Sequence, residues 1–132
     1  MRDRERAAAT GDTIIIVLNG GFAMRTDARI DRNQPEIVKE FRRLGYSVLI
    51  IAQLKNCCDI IIARDGFTCA VEIKDGAKPP SARRLTEGEQ GFKDTWKGRW
   101  YLCESIDDAQ VIDRTESALV KASGLIKQGH VR

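Results

Sequence analysis

Asp59-Ile-Ile-Ile-Ala-Arg64, then Asp65-Gly66, then Phe67-Thr-Cys-Ala-Val-Glu72-Ile-Lys74 reads as two β-strands joined by a two-residue turn. Asp-Gly between β-branched runs marks a hairpin, because the glycine takes the positive φ that such a turn needs. With Arg64 opposite Phe67, every pair of partners sums to 131, which sets Asp59 directly across from Glu72. Side chains opposed in this way stand about 5 Å apart at Cβ, and like charges there destabilise a sheet. Lys74 follows Glu72 by two residues and shares its face. Two facing carboxylates at one sheet end need a compensating cation, and a hard divalent ion with oxygen ligands fits.

The strand faces sharpen this reading. Ile60, Ile62, Val71 and Ile73 fall on one side, which is therefore core. The other side carries Asp59, Ile61, Ala63, Thr68, Ala70, Glu72 and Lys74, polar at the end where the acids meet. An acid pair on a mostly apolar face is partly desolvated, which raises its demand for a cation.

Working outward, a helix is expected from Asn33 to Gly45. Asn33 is placed to cap, Pro35 lies in the first turn and Glu36 falls at the capping-box position. Ile37, Phe41 and Leu44 form its apolar stripe. Strands are expected at 46–52, 59–64 and 67–74, followed by a loop over 75–85 with Gly76, Pro79 and Pro80. Thr86-Glu-Gly-Glu89 repeats the capping box and opens a helix to about Lys97. Trp100 to Cys103 is a fourth strand, and Ser105 caps a closing helix with Ile106, Ala109 and Ile112 facing inward. The fold class is α/β (α+β), with element order α-β-β-β-α-β-α.

Upstream, residues 1–26 read as an N-terminal arm and 27–132 as a single domain. Ile14-Ile-Ile-Val-Leu18, closed by Asn19-Gly-Gly21, has the signature of a short buried strand. An added edge strand, pairing with a second copy in a homodimer, and a dispensable leader with Met24 as an alternative start all stay open.

The bulk numbers suit one domain of 132 residues, 42% hydrophobic and 31% charged. No apolar run approaches the roughly 18 residues of a membrane helix, and Arg-Asp-Arg-Glu-Arg near the start is unlike a secretory signal. A cytoplasmic, intracellular protein with no membrane partner is expected. Cys57, Cys58, Cys69 and Cys103 form no CxxC pair and read as reduced thiols. The net charge of +3 permits nucleic-acid binding without demanding it. His130 sits in a polar tail and reads as a bystander.

The acid opening one strand, followed by Glu72-Ile73-Lys74 on the next, resembles the signature of the PD-(D/E)XK nuclease superfamily. The resemblance extends from about Asn33 into the closing helix. It looks closest to small phage and prophage nucleases of the VRR-NUC and Holliday-junction-resolvase-like kind, through Asp31-Arg-Asn-Gln-Pro-Glu36, Glu72-Ile-Lys-Asp-Gly-Ala-Lys-Pro-Pro80 and Arg84-Leu-Thr-Glu87. Cys58 stands where the family usually has Pro, a residue that shapes backbone rather than binding metal.

The resemblance implies a restriction-endonuclease-like core with a mixed central sheet flanked by helices. It also implies a Mg²⁺- or Mn²⁺-dependent deoxyribonuclease, in the host cytoplasm if phage-encoded. Asp59 and Glu72 would be metal ligands with the Ile73 carbonyl as a third, and Lys74 would place the attacking water. Glu36 is read as an additional ligand or as a helix cap. Between Lys74 and Arg99 there are seven Lys or Arg against four Asp or Glu. Lys78, Arg83 and Arg84 in the loop, with Gln90, Lys93 and Lys97 on one helical face, form a phosphate-tracking candidate set. Asn33, Gln34, Lys55 and Asn56 are weaker candidates for the same role. A non-catalytic DNA-binding module with this fold is the alternative, and an interaction protein assembling through Ile14–Leu18 is a third reading.

Overall fold

The computed structural model describes residues 30–124, and the Ile14–Leu18 run, Met24 and His130 lie outside them. Elements follow in the order α1 (Gln34–Arg43), β1 (Ser47–Ile50), β2 (Ile60–Arg64), β3 (Phe67–Ile73), a 3₁₀ turn (Pro80–Arg83), α2 (Glu87–Thr95), β4 (Arg99–Cys103) and α3 (Ile106–Ser123). The class is mixed α+β, with one four-stranded sheet and three helices.

The hairpin register is the one the turn dictates: Arg64 pairs with Phe67 and Ile60 with Val71. Asp65 and Gly66 both take positive φ, 57° and 84°, the geometry whose twist matches flanking strands. β1 pairs antiparallel with β2, and β4 lies parallel to β3 with Glu72 opposite Leu102. Parallel neighbours need a crossover, and the 3₁₀ turn with α2 supplies it. The sheet order is β1-β2-β3-β4.

Period-two alternation gives each sheet face its own core. Ile60, Ile62, Val71 and Ile73, all fully buried, pack with Ile37 and Phe41 of α1 and Ala109 and Ile112 of α3. The opposite face carries Ala70, Ile61 and Trp100, packed with Phe92 of α2, Trp96 just beyond it, and Leu54 and Cys58. Asp59 and Glu72 belong to this second, smaller face. The four cysteines are free, and all but Cys57 are buried.

Two local expectations are corrected. The Asn33 side chain does not cap α1; its Nδ2 donates to the carbonyls of Lys74 (3.2 Å) and Glu104 (3.1 Å), tying the ends of β3 and β4 to the helix start. The Asn33–Glu36 capping box is therefore not formed. The second helix stops at Thr95 rather than Lys97, because Trp96 turns to an extended conformation. Its ring then stacks on Phe92 at 5.2 Å and its indole N–H donates to Arg99 O. The closing helix α3 starts and stops as its chemistry predicts. Ser105 Oγ accepts the Asp108 N–H at the start of α3, and Gly124 closes it with φ 83°. Gly45, with φ 95°, follows α1.

The one charged side chain that α3 buries against the sheet, Glu116, is 2% exposed. It accepts from Arg99 Nη2 at 2.7 Å and from the Tyr101 hydroxyl. Removing one member of such a network leaves the other charge poorly solvated. Arg99 is about a third exposed, which tempers the cost. Glu116→Ala is expected to lower unfolding free energy by about 2–3 kcal/mol in urea titrations, whereas a loss below about 1 kcal/mol would match an ordinary surface bridge.

Candidate metal and phosphate site

Asp59 lies one residue before β2, yet its backbone is held from both sides. Its N–H donates to Val71 O (3.2 Å) and its carbonyl accepts from Ile51 N–H (2.9 Å). Regular pairing with β3 ends at Ile60–Val71. The Asp59 N–H bonds the same Val71 carbonyl, one residue off that register, so Asp59 meets β3 through its side chain rather than as the ladder partner of Glu72. Glu72 is 3% exposed, and its carboxyl and that of Asp59 lie close enough for each to alter the other's hold on a proton. The Ile73 N–H donates to Asp59 Oδ2 at 2.7 Å, so Ile73 reaches the site through its amide.

Both acids are pushed up from their ordinary range. For Glu72 the cause is burial, followed by the Asp59 charge, and together they take it to about 10. Burial also raises Asp59, against the hydrogen bonds from Glu72 and the Ile73 amide. Each acid therefore holds its proton more tightly than a free carboxyl does.

Lys74 reaches this pair as its strand position dictates, with Nζ 3.8 Å from Glu72 Oε2. Its shorter contact is with Glu89 Oε1, at 2.8 Å. Burial disfavours the ammonium, but the hydrogen bond and charge of Glu89 outweigh it and raise Lys74. Glu89 itself is held below its usual range: burial acts against its charge, and the Lys74 and Thr86 hydrogen bonds prevail. Its negative charge, with that of Asp31, is felt at Asp59. Asp31 also stands 3.8 Å from the Lys78 ammonium.

Sequence reasoning missed both Glu89 and Asp31 as neighbours of the site. The Thr86-Glu-Gly-Glu89 pattern announced the cap, and that cap does form. Nothing in the pattern said that α2 would lie over the face holding the acids. Asp31 was visible only as part of the stretch before α1.

Glu36 is exposed and lines a concavity with Asn33, Asp75, Gly76, Arg83 and Glu104, which Asp59 and Glu72 do not share. It does not form the expected capping box. Among the described residues no group of three or more His, Cys, Asp or Glu is arranged to hold a metal ion. The donor set is a buried carboxylate pair whose proton a hard cation can replace, leaving further coordination to backbone carbonyls and water.

The phosphate-contact candidates divide. Gln34 is 4% exposed and lines a groove with Ile30, Pro35, Val38, Arg42, Ala52 and Gln53. Asn33 is committed to its two carbonyls. Arg83 donates to Lys78 O and to Glu104, Gln90 donates to Asp94, and the Lys93 ammonium lies 4.6 Å over the Trp100 ring. Lys97 falls beyond the end of α2, so it does not share a helical face with Gln90 and Lys93. Asn56 takes a positive φ of 57° and packs on Gly88, where an added Cβ would lie 2.0 Å from Asn56 Oδ1. Lys55, Lys78, Arg84 and Lys97 are exposed.

Comparison with protein-family models, curated proteins and solved structures finds no match. No helix among the described residues is long and apolar enough to cross a membrane.

The raised Glu72 makes stability depend on pH with a definite sign. Its carboxyl titrates near 4.5 when unfolded and near 10 when folded. Between these values the folded state keeps a proton that the unfolded state has lost. The group's contribution is complete below the lower value and disappears as pH rises through the upper one. Glu89 and Glu116 are lowered and titrate below this window. In EDTA the protein should melt at a lower temperature at about pH 8 than at about pH 5.5, and Glu72→Gln should flatten that slope. A wild-type profile that is flat, or that rises with pH, contradicts the protonated pair.

Proposed function

We propose that this protein is a divalent-metal-dependent nuclease that hydrolyses phosphodiester bonds in DNA. The observation that carries the reading is the clustering of Asp59, just before β2, with Glu72 of β3, and the Lys74 ammonium 3.8 Å from Glu72. The element order and mixed sheet agree with the restriction-endonuclease-like core that the Asp59…Glu72-Ile73-Lys74 pattern implies.

In this reading Asp59 and Glu72 give up their proton and hold Mg²⁺ or Mn²⁺. When bound, the ion polarises the scissile phosphate and lowers the pKa of a coordinated water. Asp59 is oriented by the Ile73 amide, so one carboxylate oxygen is fixed and the other side of the group is left to the ion. Lys74 supplies positive charge beside the acids, where it orients the water and offsets negative charge as it develops on the phosphate. Burial of Glu72 keeps competing water away and strengthens these interactions. The exposed Lys55, Lys78, Arg84 and Lys97 carry the backbone of the nucleic acid by charge alone, which favours affinity without base readout.

Incubation with linear, supercoiled, single-stranded and four-way-junction DNA tests this directly. Cleavage is expected with Mg²⁺ or Mn²⁺, to cease in EDTA, and to fall at least about 100-fold in Glu72→Ala and Lys74→Ala. Both variants should retain the native circular dichroism spectrum. Cleavage that persists in EDTA or in Glu72→Ala contradicts the mechanism. Binding in a gel shift with no cleavage in any metal favours a non-catalytic DNA-binding module.

A further inference from the structure

Glu89 stands outside the Asp59, Glu72 and Lys74 set, yet it is the closest anion to the lysine. Its Oε1 receives two donors, the Lys74 ammonium at 2.8 Å and the Thr86 backbone N–H at 2.8 Å. The Thr86 hydroxyl in turn accepts the Glu89 N–H at 3.2 Å. A capping-box glutamate ordinarily satisfies its helix start and needs nothing more. Here the same carboxylate points inward, and both partners of the ion pair are largely buried, at 12% and 13% exposure.

Backbone packing fixes where that carboxylate sits. Gly88 precedes it, and an added Cβ there would meet Asn56 Oδ1 at 2.0 Å and Asn56 Cγ at 2.9 Å. The first turn of α2 is therefore pressed onto the loop that leads to Asp59. Phe92 and Trp96, one and two turns on, anchor that end of the chain in the smaller core. Glu89 is delivered to Lys74 by a rigid element rather than by a flexible side chain reaching across solvent.

We propose that Glu89 is a positioning residue, holding the Lys74 ammonium over the Asp59–Glu72 pair so that the start of α2 sets the site's positive charge. The contact is independent of what the site does; its catalytic consequence rests on the nuclease reading. Lys74 has a long flexible stem, and an ammonium so held loses less freedom when the reacting phosphate arrives. Glu72 holds it less closely, since its oxygen is farther away at 3.8 Å.

Glu89→Gln separates this role from the helix cap, because glutamine also serves at that capping position. Two readouts apply to the full-length chain. Lysine-ammonium ¹H–¹⁵N NMR of the metal-free protein, assigned with Lys74→Arg, should show a protected Lys74 signal that Glu89→Gln abolishes. In the DNA cleavage assay, Glu89→Gln should lower kcat about tenfold with KM within about twofold. A Lys74 signal that survives unchanged in Glu89→Gln overturns the proposal, as does an unchanged kcat. If the unsubstituted protein cleaves nothing, the nuclease reading falls while the ammonium signal still decides whether Glu89 positions Lys74.

Discussion

Two carboxylates facing each other across adjoining strands are the constraint around which this site is built. On an ordinary sheet surface such a pair is a defect, since like charges directly opposite one another repel. Here Glu72 is buried, and Asp59 is pinned through both its backbone and its side chain. Neither can swing away. The remaining ways to relieve the repulsion are a shared proton or a shared cation. Burial and the neighbouring charge raise both acids above their usual range, which favours a proton on the pair.

The architecture divides labour between the two faces of the sheet. One face is largely apolar beneath α1 and α3, apart from the Glu116 network, and it fixes the strand register on which the site depends. A one-residue slip would carry Asp59 and Glu72 into that core, where nothing is placed to receive them. The other face has a smaller core under Phe92 and Trp96, leaving room at one end for polar groups. Asn33 ties the carbonyls of Lys74 and Glu104 together at that end, so the exits of β3 and β4 are held as firmly as their interiors.

Much of this was legible in the chain. Asp65-Gly66 sets a turn whose geometry leaves one register as far as Ile60–Val71, and beyond it the Ile73 amide bond to the Asp59 side chain completes the approach. The alternation of Ile60, Ile62, Val71 and Ile73 names the core face without reference to anything distant. The seven elements were legible because each has a local signal in caps, turn residues or periodicity. What escaped was the identity of side-chain partners. Asn33 has every property of a cap, yet two carbonyls more than forty residues away in sequence claim its amide. Gln34 and Glu36 are neighbours in one helical turn, and only packing decides that the first is buried and the second exposed. Lys97 was lost from its helical face because stacking of Trp96 on Phe92 ends α2 early. Glu89 was legible as a cap, but its second partner depends on where α2 lands.

If the pair is a cation site, ion binding and proton loss are one event. Calorimetric titration of Mn²⁺ into metal-free protein, repeated in buffers of different ionisation heat, measures both at once. The account predicts saturable binding with proton release near neutral pH, and loss of that binding in Asp59→Asn. Absence of binding, or binding that releases no proton and survives Asp59→Asn, would contradict it.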